Sequence, residues 1–313
     1  MSVVKSYSFP EGDVRGDMFY IKHNTDNFTV IDCYLKEGKN SSCRKDGILA
    51  EIAEESKGKT IKRFISTHPH NDHILGIEAL DAQDEIINFY AVANDIPANP
   101  DDDSLTKYLE IKAAKNTPIV EGLRRCWLNK ADDDKARYGS GIHFLWPKKT
   151  TVKEFSDALE DVKKGGNPNN ISCVFMYTIR DGATYMWMGD MQTDMQEVFL
   201  REMKNQLGPV DVLFHPHHGR KSSAPPKELM DILNPKIVVI SNAPADDLNY
   251  DEPDRTITQN TAGDIVFVNE GDYVHVFTAN EYDEAPKCLE KLEDMGDSVK
   301  YGHYIGSLDL TKK

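Results

Sequence analysis

The chain has 313 residues, 39% hydrophobic and 28% charged, with 37 basic against 52 acidic side chains and a net charge of −15. That length holds one large domain or two ordinary ones, and the acidic balance disfavours long, sequence-independent contacts along nucleic acid. No run approaches the ~20 apolar residues of a membrane helix, residues 1–10 lack a signal-peptide pattern, and five cysteines without a CxxC pair argue against a disulfide framework, so the cytoplasm is the expected compartment.

In chain order, 6–9, 18–21 and 28–32 read as strands, with a glycine-bearing turn at 11–17 between the first two. Asp32 closes the third strand and is a candidate to anchor a neighbouring histidine ring. Residues 46–55 repeat apolar side chains near helical spacing, and Lys57-Gly58-Lys59 ends that helix. The short apolar run 61–66 reads as a buried strand, 74–80 as a helix and 86–92 as a strand. Segment 94–140 reads as a largely helical insertion, with helices over 105–116 and 120–129, in a single domain spanning 1–313. Strands are predicted at 142–146, 171–177 and 184–188, the last two joined by a turn at Arg180-Asp181-Gly182, with a loose helix at 152–162. A helix at 194–206, a buried strand at 211–214, a helix at 225–233 and a buried strand at 237–241 follow. Residues 265–268 and 273–278 form a hairpin, and the charged tail from 281 carries no clear pattern.

The chemistry gathers at strand ends. Thr67-His68-Pro69-His70-Asn71-Asp72-His73 follows the strand at 61–66. His68 and His70 stand two apart, so extended backbone aims both the same way, and Asp72 and His73 come after a turn. This set offers imidazoles to one cation and a carboxylate with an imidazole to a second, which suits zinc or manganese. Gly189-Asp190 places a further carboxylate at the end of 184–188, able to bridge two cations as an imidazole cannot. His215-Pro216-His217-His218-Gly219 ends the strand at 211–214; one of His217 and His218 is a metal ligand and the other assists a leaving group or contacts substrate. Lys221 and the serines after it are candidates to meet an anion.

Ligand groups at the ends of three strands, with helices between, resemble the metallo-β-lactamase fold, an α+β four-layered αββα sandwich with metals at one edge. His68-Pro69-His70-Asn71-Asp72-His73 matches that superfamily's HxHxDH motif, Gly189-Asp190 looks like its bridging aspartate, and His217-His218-Gly219 like its late histidine motif. A finer likeness is to the corresponding domain of bacterial DNA-uptake (competence) proteins and their soluble relatives, carried by Gly16-Asp17, Asn170-Ile171-Ser172, Gly189-Asp190 and His217-His218-Gly219. Many members of the superfamily have a further histidine where Asn170 stands here, and the DNA-uptake relatives usually have serine in place of Arg220.

The resemblance implies a metal-dependent hydrolase holding one to two Zn2+ or Mn2+ ions on His68, His70, Asp72, His73, Asp190 and His217 or His218. Asp72, His217 and His218 are its catalytic candidates, and Asp32, Asn170, Ser172, Arg220 and Lys221 stand around them. The implied reaction is attack of metal-activated hydroxide on a small phosphodiester or a short single-stranded nucleic acid. Hydrolysis of a lactone, thioester or β-lactam is the alternative within enzymes, and a metal-bearing scaffolding subunit without turnover the alternative outside them.

Overall fold

The computed structural model describes residues 1–9, 16–36, 41–128, 139–249 and 252–312. Two β-sheets face one another. The first contains β1 (Ser2–Ser6), β2 (Phe19–Lys22), β3 (Asn27–Ile31), β5 (Ile61–Ile65), β6 (Phe89–Ala91) and β7 (Asn116–Pro118). The chain's end adds β14 (Ile265–Glu270), β15 (Tyr273–Thr278), β16 (Leu289–Glu290) and β17 (His303–Asp309), giving the order β16-β17-β15-β14-β1-β2-β3-β5-β6-β7. The second sheet runs β13 (Thr256–Thr258), β12 (Ile237–Ile240), β11 (Val212–Phe214), β10 (Thr184–Trp187), β9 (Val174–Thr178) and β8 (Ile142–Trp146). A short strand, β4 (Cys33–Tyr34), bridges to Ile74 and Leu75.

Side-chain alternation explains the layering. In the first sheet Val4, Phe19, Ile21, Ile31, Ile65, Ile265 and Phe267 face inward to one core with Tyr185, Trp187, Phe214 and Val239 of the second. Their neighbours Val3, Tyr20, Val30, Phe64, Val266 and Val268 face the other way, into a separate outer core. Aromatic rings cross the inner space: Phe19 lies 4.9 Å from Phe214 and 6.0 Å from Trp187, and Phe267 lies 5.8 Å from Tyr185. Outside the first sheet, α1 (Ser41–Glu55), α3 (Ile77–Gln83) and α4 (Asp103–Lys115) bury Ile48, Ile52, Leu80, Leu105, Tyr108 and Ile111. Outside the second, α5 (Lys153–Lys163), α6 (Thr193–Met203) and α7 (Lys227–Leu233) bury Phe155, Phe199, Met203, Leu229 and Leu233. The result is the four-layered αββα sandwich.

Several local expectations shift. The first strand is Ser2–Ser6 rather than 6–9, and most of the turn at 11–17 lies outside the described residues. The helix expected from residue 74 begins at Ile77, because Gly76 takes a left-handed φ of 82° and separates it from a single turn, α2 (Asn71–Ile74). No helix forms among the described residues of 120–129, and the tail contributes β17, paired with β15 and β16. Within His303–Asp309, Gly306 takes a φ of 142°, and a Cβ there would come within 2.8 Å of Leu289.

The site follows from strand direction. β3, β5, β6 and β7 are mutually parallel, as are β10, β11, β12 and β13. Parallel strands deliver their carboxyl ends to one edge, where open α/β sheets place their ligands. The His/Asp segment leaves β5, Gly189-Asp190 leaves β10, and His215 to Gly219 leave β11.

Candidate metal centre

Asp32 holds the histidine segment from behind. It accepts from the Thr67 backbone N–H (2.7 Å) and from the Thr67 hydroxyl (2.6 Å), and it faces His73 Nδ1 at 2.8 Å. A carboxylate only accepts, so Nδ1 of His73 carries the proton and Nε2 is left to point inward. Having given its hydrogen to Asp32, the Thr67 hydroxyl accepts from His68 Nδ1, 3.1 Å away. His68 Nε2 therefore also presents a lone pair, buried and without a hydrogen-bond partner. Asp32 itself sits at φ 54°, a left-handed conformation rare outside glycine.

Asp190 lies at the middle. Its residue is fully buried, and neither carboxylate oxygen has a hydrogen-bond partner. Oδ1 lies 3.1 Å from His73 Nε2, and Oδ2 lies 3.3 Å from His218 Nε2. The backbone makes this approach possible. Gly189 has φ 52°, and a Cβ there would come within 2.8–2.9 Å of Ser172 and Thr67. The Asp190 N–H donates to Ser172 Oγ at 3.0 Å, and the Cys173 N–H donates to the Thr67 carbonyl at 2.9 Å. Ser172 thus fixes the Asp190 backbone, and Cys173, just before β9, ties that strand's start to the histidine segment.

His218 is enclosed by carboxylates. Nδ1 is 3.3 Å from Asp17 Oδ1, while Nε2 is 3.3 Å from both Asp72 Oδ2 and Asp190 Oδ2. His217, His218 and Gly219 take φ values of 52°, 55° and 82° in succession. Two non-glycine residues in that region cost about 1–3 kcal/mol each, a strain that clusters at functional sites. His70 completes the ring with Nδ1 buried and 3.2 Å from Asp72 Oδ1, although its side chain is otherwise partly exposed.

Among the described residues two constellations result, sharing Asp190. Ligand atoms of Asp17, His73, Asp190 and His218 lie within 4.8 Å of one another, as do those of His68, His70 and Asp190. Asp72 adjoins both through its contacts with His70 and His218. Burial alone pushes the His73 and His218 rings towards neutrality, yet Asp190, with Asp32 beside one and Asp17 beside the other, raises both well above the ordinary histidine value. Asp190 is correspondingly held well below the ordinary aspartate value despite its burial. Four carboxylates around imidazoles need positive charge between them, supplied either by protons on the rings or by a cation. Divalent metals fit this donor set, because His73 Nε2 and the Asp190 oxygens are all buried lone-pair donors without hydrogen-bond partners.

The outer residues divide. Asn170 does not face the centre: its amide donates to Asp194 and accepts from the Gln192 N–H. The asparagine that does is Asn169, buried, with Nδ2 3.4 Å from His217 Nε2. Adjacent asparagines in a 3-10 turn, Pro168–Ile171, point in different directions, and sequence spacing alone selects neither. His217 Nδ1 meets Ser223 Oγ at 2.7 Å, and its pKa falls to about 4 through burial and the neighbouring His218 and Arg220 charges. Lys221 is exposed and donates to the Asp246 carbonyl at 2.9 Å. Asp17 is the residue sequence reasoning left without a role; the Gly16-Asp17 pair marked it. Gly16 lies flat on the Tyr34 ring, where a Cβ would come within 2.2 Å of Cγ.

No helix among the described residues is long and apolar enough to cross a membrane. No protein-family model and no curated protein matches the chain. Solved structures that match include CmlA, a diiron β-hydroxylase from Streptomyces venezuelae, and an E-to-D mutant of that enzyme, each at 12% identity and a TM-score of 0.43. They cover 77% of this chain, which spans only 44% and 46% of theirs.

Proposed function

We propose that the chain is a metal-dependent hydrolase of small phosphodiesters or short single-stranded nucleic acid, holding one to two Zn2+ or Mn2+ ions. The observation that carries the metal is Asp190: a fully buried carboxylate with both oxygens unpartnered, facing two imidazoles that other carboxylates already engage from behind. His73, His218, Asp190 and Asp72 would hold one ion, with His68, His70 and Asp190 offered to another. Between His217 and His218, the ligand role goes to His218, whose Nε2 lies 3.3 Å from both Asp72 and Asp190; His217 Nε2 stands 3.7 Å from Asp190 and is met by Arg220 and Asn169. The phosphodiester reading is supported by the DNA-uptake likeness, of whose four motifs Asp17, Ser172, Asp190 and His218 meet at one edge while Asn170 turns away.

A divalent cation bound here supplies Lewis acidity and brings the pKa of water towards neutrality. The chain's own residues do the rest. Asp72 Oδ1 is buried 3.2 Å from His70 Nδ1, where it could accept the proton of a water held at the centre and keep it oriented. Asp32 fixes the tautomer of His73 through a hydrogen bond, and the Asp17 carboxylate lies 3.3 Å behind His218 Nδ1. His217, held neutral, positions the groups around it. The test is turnover of bis(p-nitrophenyl) phosphate, p-nitrophenyl acetate, a lactone and a β-lactam by protein loaded with Zn2+ or Mn2+. Cleavage of the diester, abolished by a chelator and restored by metal, supports the reading. Hydrolysis of only the ester, lactone or lactam overturns the substrate class, and no turnover of any favours a scaffolding subunit.

A further inference from the structure

One flank of the centre is built differently from the rest. There Asn169, His217 and Arg220 meet. His217 Nε2 lies 3.3 Å from Arg220 Nη1 and 3.4 Å from Asn169 Nδ2. A guanidinium only donates, so Nε2 accepts and the ring proton sits on Nδ1, facing Ser223 Oγ. A metal ion at that Nε2 would stand directly against the guanidinium, positive against positive. This side of the centre is therefore organised around the cationic side chain.

The arginine is also held in place. Nη2 reaches Asp247 Oδ2 at 3.3 Å, Arg220 bridges to Leu248, and the Asn249 N–H donates to the Gly219 carbonyl at 2.7 Å. Its carboxylate partner is Asp247 on the rim, and it makes no ion pair with Asp72 or Asp190. With two of five N–H groups engaged, the side chain retains donors, and it is about a quarter exposed. Asn169, 2% exposed, has an Oδ1 without a partner beside it.

We propose that Arg220, backed by His217 and Asn169, is the anion-recognition arm of this centre and grips a non-bridging oxygen of the substrate's phosphate. The proposal rests on the reading that the substrate is anionic and reacts at this centre. A planar guanidinium fork suits phosphate oxygens. A local cation is also what a chain of net charge −15 needs to draw an anion to a site ringed by carboxylates.

The test is calorimetric binding of inorganic phosphate to the metal-loaded wild type, Arg220→Ala and Arg220→Lys, with metal content measured for each. Arg220→Ala should weaken phosphate roughly tenfold or more at unchanged metal content, and Arg220→Lys should recover part of the loss. Its KM for bis(p-nitrophenyl) phosphate should rise more than kcat falls, with the KM for neutral p-nitrophenyl acetate unmoved. Wild type that binds no phosphate, or equal affinity in Arg220→Ala, overturns the proposal. Loss of metal in both variants would also overturn it, making Arg220 a support of the ligand shell. Arg220-dependent phosphate binding without diester turnover would instead leave this arm standing and remove the hydrolytic reading.

Discussion

At the scale of single residues, the centre is a set of acceptors aimed at one another. Asp190 has both oxygens buried and unpartnered, so replacing it removes a donor common to both ligand groups. Asp190→Ala should lower metal affinity at least about 100-fold and lose activity with it. Asp72→Asn keeps the shape but not the proton acceptor; kcat should fall roughly 100-fold or more while the melting temperature moves little. Metal stoichiometry beside kcat checks both, and full activity in either variant contradicts the assignment. Much of this was legible in sequence. His68, His70, Asp72 and His73 lie within six positions after one strand, and Asp190 and His218 follow strands of their own. Asn169 and the role of Asp17, which the Gly16-Asp17 pair marked without one, were not, because what selects them is three-dimensional: Asp17 stands behind His218, and Asn169 rather than Asn170 turns inward from a 3-10 turn.

At the scale of elements, parallel strands fix where the ligands emerge, and the outer helices hold those strands. Short apolar runs gave β2, β3, β5 and the β14–β15 hairpin to within a few residues, since each has one face in the inner core and one in the outer. Such runs failed at β16 and β17, where pairing with distant strands decides the conformation. The end of α1 shows how a helix is fastened to the sheet. Glu55, 5% exposed, pairs with Lys22 of β2 at 2.8 Å and with Lys300 at 2.6 Å. Burial raises its pKa, but the hydrogen bonds and charges of the two lysines outweigh it and bring the group below the usual 4.5. A depressed folded-state pKa contributes stability that is fully present above the unfolded value and is lost as pH falls through the folded one. Glu55→Gln should thus cost about 1 kcal/mol at neutral pH. The gap between wild type and variant in denaturant unfolding should close below pH 4.5. A gap that is the same at pH 7 and pH 3 would show that the ion pairs contribute nothing.

At the scale of the whole molecule, charge and architecture bear on the substrate proposed above. The αββα sandwich opens one edge to solvent, and 52 acidic residues against 37 basic ones leave the surface poorly suited to following a long polyanion. A dinucleotide-sized diester should be cut with kcat/KM at least equal to that for a long duplex at the same salt concentration, with a single strand of about 30 nucleotides compared alongside. A strong preference for the duplex would mean that folding gathers dispersed lysines into a basic groove. All of this depends on the positive charge between Asp190, His73 and His218 being a metal rather than protons. The most direct measurement is elemental analysis of protein purified without chelator, repeated after chelation and after return of Zn2+ or Mn2+. The account predicts one to two ions per chain, removed by chelator, regained on addition, and diminished in Asp190→Ala. A chain that carries no metal and takes none up would contradict it.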